Sequence, residues 1–130
     1  HLVISTLHTI GAANTVDRIV DSFPPTQQQQ IRTQLSQALE GVVSQQLLPT
    51  VDGALVPAFE VMSVTPAVRN MIRESKAFQL ESVISTSAAL GMTTMDQSIL
   101  ALLKAGRITR DTALRHASNP DWMEKRFAAL

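Results

Sequence analysis

The pattern of apolar and polar positions changes several times along the chain, and each change predicts an element. The run from Leu2 to Thr6 is β-branched and apolar without clean alternation, which is typical of a strand buried on both faces. Two further β-rich stretches, Val42 to Leu48 and Leu55 to Val64, flank Asp52-Gly53. A turn dipeptide between two such stretches predicts a hairpin.

Helical spacing of apolar residues fills the rest of the chain. The first two predicted helices carry the buried stripes Val16, Ile19, Val20, Phe23 and Ile31, Leu35, Ala38, Leu39, Val42. The expected helix starts are Asn14 or Thr15, Thr26 with Gln29, Thr65-Pro66, Ser75, Thr93 or Thr94, Thr109, and Asn119-Pro120. The order of strand, helices, hairpin and helices predicts a mostly helical α/β fold, like the second half of an α/β core.

Composition limits the classes of function. The chain has 130 residues, a size that fits one domain, and its formal net charge is zero, which argues against sequence-independent nucleic-acid binding. Cysteine is absent, which excludes disulfides and thiolate zinc sites, and no apolar run approaches the ~18 residues of a membrane span. A chain that starts at His1 inside a strand-like run is expected to be cut from a longer, cytoplasmic polypeptide.

The first candidate site is the polar group Thr6, His8 and Thr9 after the predicted strand. Ligands of open α/β sheets bind beyond the carboxyl ends of strands, where such side chains can bond a phosphate or a water. A histidine can donate a hydrogen bond there as the neutral or the charged form. The alternative is a capped strand end whose histidine bonds a backbone carbonyl.

The second candidate is the predicted helix after Thr65. Arg69 and Arg73 lie four residues apart, so two like charges share one face, which is unfavourable unless an anion is near. They are either solvated, paired with Glu74 or Glu81, or directed to a partner. The predicted buried stripe of this helix is Ala67, Val68, Met71 and Ile72.

Three other residues look structural. Asp17 and Asp21 are spaced four apart opposite the buried stripe, which predicts a solvated face. His116 has no second histidine at metal-ligand spacing, so no metal site is expected.

The stretch His1-Leu2-Val3-Ile4-Ser5-Thr6-Leu7-His8-Thr9 resembles the His box of secretion and type IV pilus ATPases, a superfamily of RecA-like, P-loop hexameric motors. The resemblance implies that His8 faces the nucleotide γ-phosphate and senses hydrolysis. It also implies that Thr6 and Thr9 lie at the rim of the site and that His1 is the first histidine of the box.

A second resemblance narrows the family. The residues Ala67-Val68-Arg69-Asn70-Met71-Ile72-Arg73-Glu74 resemble the A-I-R-N-L-I-R-E motif of twitching-motility retraction ATPases (PilT-like). This resemblance implies a subunit-interface or force-transmission role. Gly91-Met92 with Thr94 to Asp96, and the turn Lys104 to Thr109, also resemble family segments. The tetracysteine insertion of extension and secretion ATPases has no counterpart between the hairpin strands, which favours the retraction branch.

The sequence therefore predicts part of a retraction motor, with residues 1–64 as the C-terminal half of a RecA-like core and residues 65–130 as a helical C-terminal subdomain. No G-x-x-x-x-G-K-[ST] loop is present, so the fragment is expected to be inactive and to bind ATP and Mg²⁺ only within the full-length protein. The resemblance implies a homo-hexamer on the pilus inner-membrane platform, in the cytoplasm at the base of the pilus. The alternatives are an extension or secretion ATPase fragment and a non-enzymatic helical interaction module.

Overall fold

The computed structural model describes all residues from 1 to 130, in which seven helices pack against one face of a hairpin. The elements are α1 Ala12–Asp21, α2 Gln28–Ala38, β1 Gly41–Pro49, β2 Leu55–Ser63, α3 Pro66–Arg73, α4 Leu80–Ser85, α5 Met95–Lys104, α6 Arg110–His116 and α7 Pro120–Phe127. Short 3₁₀ turns precede α2 and α4 and lie at Ala88–Leu90. No helix is both long enough and apolar enough to cross a membrane. The fold class is the predicted mostly helical α/β arrangement.

The hairpin is the centre of the fold. Strands β1 and β2 pair antiparallel from Gly41 opposite Ser63 to Pro49 opposite Leu55. Gly53 adopts φ +85° in the turn, a left-handed conformation that favours glycine. Alternate side chains of the strands point toward the helices, because successive residues of a strand face opposite sides. The buried set is Ser44, Leu48, Val56, Ala58, Glu60 and Met62.

Two apolar clusters cover the inner face of the hairpin, one at each end. The cluster at the open end joins Met62 to α1, α3 and α4 and contains Ala12, Val16, Val68, Ile72, Ala77, Leu80, Ile84 and Met92. The cluster at the turn end joins both strands to α5, α6 and α7 and contains Leu48, Val56, Ala58, Met95, Ile99, Leu100, Ile108, Ala113 and Met123. The division of the chain at residue 64 stays a prediction, since β2 contributes to both clusters.

Most of the predicted strand ends and helix starts are confirmed. The hairpin strands agree with the prediction to within one residue, and α3 begins at Pro66 behind Thr65. Thr94 caps α5 in a reciprocal box with Gln97, at 3.1 and 3.0 Å. Thr109 and Asn119 cap α6 and α7 through their side-chain oxygens.

The predicted strand from Leu2 to Thr6 is wrong for this chain. Residues 1–7 have no regular structure, and Leu2, Val3 and Ile4 are 83%, 80% and 86% exposed. A strand buried on both faces needs neighbouring strands, and the two strands present pair only with each other. The apolar pattern therefore has no partner within the 130 residues.

Four smaller predictions also need correction. Helix α1 begins at Ala12 rather than behind Asn14 or Thr15, and no side-chain oxygen of its N-cap bonds a backbone amide. Thr26 forms no capping box, because the chain enters α2 through the 3₁₀ turn Pro25–Gln27. Ser75 opens no helix and instead adopts φ 60° in the turn after α3. Ala67 lies on the exposed side of α3, while Val68 and Ile72 are buried.

Candidate functional site

The segment before α1 holds the first candidate site and is anchored to β1. The Gly11 amide donates to Ser44 Oγ at 2.8 Å, and Ser44 Oγ donates to the Thr9 carbonyl at 3.4 Å. The Thr9 and Thr15 hydroxyl oxygens lie 2.8 Å apart, and Thr15 Oγ1 also donates to the Gly11 carbonyl at 2.8 Å. These bonds fix the loop from Thr9 to Gly11 on the first turn of α1.

His8 stands at the edge of this anchored loop with its ring free. It is exposed, and neither ring nitrogen makes a hydrogen bond within the chain, so it does not bond a backbone carbonyl as the alternative interpretation expected. It lines a shallow groove together with Thr9 and the exposed face of α1, formed by Asn14, Asp17, Arg18 and Asp21. A free imidazole in the loop before α1 can bond an incoming anion.

The other members of the predicted site are not gathered around His8. Thr6 and His1 are both exposed and make no side-chain hydrogen bond. Thr9 bonds Thr15 and lines the groove with His8. Within this chain the structure brings together only His8 and Thr9, and the acidic residues Asp17 and Asp21 face the same groove, where they oppose an anion.

Glu60 is a buried residue that the sequence reasoning missed. It lies on β2, is 7% exposed, and accepts the Ala12 amide on Oε2 at 2.6 Å and the Met95 amide on Oε1 at 3.1 Å. The signal was available in the period of the strand, because Glu60 shares the buried parity of Ala58 and Met62. An ionisable residue at such a position must find donors to be tolerated.

Arg69 is held by the end of a neighbouring helix. Its Nη1 atom donates to the carbonyls of Ser36, Gln37 and Leu39 at 2.8, 3.0 and 3.4 Å, and its Nη2 atom lies 3.7 Å from Glu40. The last carbonyls of a helix have no intrahelical donors and carry partial negative charge, so a guanidinium satisfies them. The anion expected near Arg69 is thus the C-terminus of α2.

Arg73 has different surroundings. It is exposed, donates to Asn70 Oδ1 at 2.7 Å, and lies 3.7 Å from Glu74, the local carboxylate that the sequence suggested. The two arginines therefore do not share a partner. Whether the exposed residues Asn70, Arg73 and Glu74 form an interface stays a prediction.

A second groove lies between α4, α5 and α7. Its walls include Phe78, Glu81, Trp122 and Arg126, and the Arg126 guanidinium stacks 3.6 Å from the centroid of the Trp122 ring. Burial raises the pKa of Glu81, and the charges of Asp96 and Glu60 raise it further. Asp96 is 4% exposed and accepts the Ser118 and Asn119 amides at 2.7 and 2.8 Å. Asp96 and Asn119 thus hold the start of α7, whereas other polar groups of the groove bond within or between α4 and α5.

Sequence comparison places this chain beside proteins of pilus motility. It is 50% identical over 124 residues to a twitching motility protein of Neisseria gonorrhoeae, a match that covers 95% of the chain and 33% of the relative. It is 45% identical over 121 residues to the type IV pilus retraction ATPase PilT of Pseudomonas aeruginosa, covering 93% of the chain and 35% of the relative. No family model matches the chain.

Comparison with solved structures leads to the same group of proteins as the sequence comparison. The pilus retraction motor PilT with bound ADP superposes with a TM-score of 0.84 at 42% identity, over 96% of this chain and 35% of that one. The Legionella pneumophila ATPase DotB superposes with a TM-score of 0.65 over 82% of this chain and 29% of that one, and its 23% identity shows a shared fold alone.

The fold is that of the C-terminal part of motor ATPases such as PilT, and DotB shares it. Within that class, the chain belongs to the PilT-like family of twitching-motility retraction ATPases. The chain spans about a third of the length of the relatives it matches.

Proposed function

We propose that the chain acts as the C-terminal part of a hexameric motor that powers type IV pilus retraction by ATP hydrolysis. The observation that carries this proposal is the likeness, over 96% of the chain, to a retraction motor that binds ADP. The free ring of His8 supports it, because the chain presents an unengaged donor at the position where the family resemblance expects a phosphate.

His8 is proposed to act on the γ-phosphate during hydrolysis. Negative charge is distributed over the phosphoryl oxygens in the transition state, and a positioned imidazole N–H stabilises that charge. Thr9 is held by Thr15 and Thr6 is exposed, so Thr9 is proposed to set the position of the loop and Thr6 to serve as a second rim donor.

The groove of this chain does not by itself fit a nucleotide with Mg²⁺. Asp17 and Asp21 face the same groove as His8 and Arg18, so a triphosphate would meet repulsion as well as attraction. The sequence also lacks a phosphate-binding loop, whose backbone amides and lysine hold the phosphates in this class of enzyme. ATP and Mg²⁺ are therefore proposed to bind only within the full-length protein, and the isolated chain is proposed to be inactive.

The assembly is proposed to be a homo-hexamer that works on the pilus inner-membrane platform, on the cytoplasmic side. The exposed part of α3, with Asn70, Arg73 and Glu74, is proposed to face a neighbouring subunit or the motor core. Arg69 is assigned a different task, since its guanidinium is bound to the end of α2. Residues 1–64 are proposed to belong to the ATPase core of each subunit, and residues 65–130 to its helical C-terminal subdomain.

Phosphate release by two purified proteins tests the proposal. The full-length protein that carries this chain should hydrolyse ATP, and the 130-residue chain at equal concentration should not exceed a protein-free blank. Turnover by the isolated chain would overturn the assignment of the phosphate-binding parts to the rest of the protein. A full-length protein without ATPase activity would overturn the motor function itself.

A further inference from the structure

The buried carboxylate of Glu60 joins two helices that are distant in sequence. One oxygen accepts the Ala12 amide at 2.6 Å and the other accepts the Met95 amide at 3.1 Å. Ala12 starts α1, four residues after His8, and Met95 starts α5, the first helix of the turn-end cluster. A single side chain of β2 therefore fixes both helix starts.

No cation neutralises this carboxylate. The ion pairs of the chain join Arg32 to Asp17, Arg69 to Glu40, Arg73 to Glu74 and Arg115 to Asp111, and none includes Glu60. Its donors are the free amides of two helix N-termini, which carry partial positive charge. Hydrogen bonds to a charged acceptor in a buried site are strong, and removing one leaves a group without a partner.

The backbone at Gly11 passes beside the Glu60 carboxylate. Gly11 adopts φ +94°, and a Cβ atom at this position would lie 3.4 Å from Glu60 Oε2. Gly11 also donates to Ser44 on the paired strand, so the loop after His8 is held from both strands of the hairpin. The Glu60 carboxylate thus contacts the start of α1, four residues after His8, and the start of α5.

We propose that Glu60 is a positioning residue, which holds His8 in place for hydrolysis and couples that place to the helical part of the chain through α5. This proposal rests on the proposed ATPase function. Glu60 is 7% exposed and both of its oxygens accept helix amides, so its effect on turnover is expected to pass through His8.

Amide hydrogen exchange on the 130-residue chain tests the structural half. In Glu60→Gln one oxygen becomes an NH₂ group that cannot accept, and the neutral amide weakens the remaining bond, so exchange at both Ala12 and Met95 should rise about tenfold. Asp96→Asn is the matched control, because Asp96 is equally buried and also accepts two amides. It should speed exchange at Ser118 and Asn119 and leave Ala12 unchanged. Faster exchange at only one of the two helix starts in Glu60→Gln would overturn the coupling.

Steady-state kinetics of the full-length protein test the functional half. Glu60→Gln should lower kcat about tenfold with KM within about twofold, and should lower it no further in a His8→Ala background. Equal losses in both backgrounds would show that Glu60 is only structural and would overturn the positioning role while leaving the motor function intact. A wild-type protein without turnover would overturn both.

Gly11→Ala serves if Glu60→Gln does not fold. Gly11 has φ +94°, a backbone conformation that alanine rarely adopts, so the substitution should disturb the same loop beside Glu60. Its loss of kcat should likewise disappear in the His8→Ala background. A loss that persists there would overturn the proposal.

Discussion

The first ten residues, which bond the rest of the chain only through Thr9 and Ile10, differ from the packed body, residues 11–130, in burial and hydrogen bonding. In the body every buried side-chain polar atom has a hydrogen-bond partner, and two apolar clusters fill both ends of the hairpin. In the first ten residues Leu2, Val3 and Ile4 are more than three-quarters exposed, and His8 has no bonding partner.

The two regions show the difference between features that depend only on nearby residues, such as helix caps, and features that need another strand to pack against. Caps such as Thr94 act on amides three residues away, so they work in any context that contains the helix. The apolar run from Leu2 to Ile4 is suited to burial, yet burial requires strands that these 130 residues do not supply. Substitution of these exposed apolar residues should leave the stability of this chain unchanged, but it should lower the stability of a longer protein in which they are buried.

Two isoleucines give the largest expected contrast. Ile99 is fully buried among α5, α6 and the hairpin, whereas Ile4 is 86% exposed. Ile99→Ala should lower the free energy of unfolding of the chain by about 2–5 kcal/mol, and Ile4→Ala should leave it unchanged. Urea denaturation of the two variants measures both values. A loss of stability in Ile4→Ala would contradict the exposed placement of the first ten residues.

The two arginines of α3 test whether the body depends on side chains that the family motif assigns to function. Arg69→Ala removes the donor to three carbonyls at the end of α2 and should cost about 1–3 kcal/mol. Arg73→Ala removes only exposed contacts and should cost less than about 0.5 kcal/mol. Thermal melts of the single variants decide the matter. Equal melting temperatures would mean that Arg69 is not part of the packing.

Two threonines provide a smaller contrast. Thr94 caps α5, so Thr94→Ala should cost about 1 kcal/mol. Thr6 makes no hydrogen bond within the chain, and Thr6→Ala should be neutral in the isolated chain. Circular dichroism melts can resolve this difference. An unchanged Thr94→Ala variant would show that local capping does not explain the order of the body.

The smallest expected effect is on the pH dependence of the melting temperature. The first ten residues hold no carboxylate, so any carboxyl group that links stability to pH lies in the body. Burial raises the pKa of Glu81 in the fold, so its charge disfavours folding above the folded-state pKa. That cost fades as the pH falls toward the unfolded-state pKa. Glu81→Gln should therefore melt slightly above wild type at pH 7 and equal to it near pH 3. A lower melting temperature at pH 7 would contradict the raised pKa.

The sequence predicted the hairpin and four helix caps because each depends on residues close in the chain. The chemistry that the family resemblance assigns to His8 and the arginines stays a prediction, and the sequence did not indicate their surroundings. The C-terminus of α2 meets Arg69 across about 30 residues, and Glu60 meets two helices across 48 and 35 residues. A local sequence pattern does not indicate which residues so far apart in the chain come into contact. The strand prediction at Leu2 failed for the same reason, since its neighbours are not encoded in these residues.

The role of His8 tests the account most directly. His8→Ala in the full-length protein should lower kcat about 100-fold with KM within about twofold, because the lost donor acts in the transition state. His116→Ala is the control, since the His116 Nδ1 atom lies 2.9 Å from the Thr112 carbonyl within α6, away from the His8 groove. It should keep both constants near wild type. A His8→Ala enzyme with wild-type kcat would contradict the proposal that this free histidine senses the γ-phosphate.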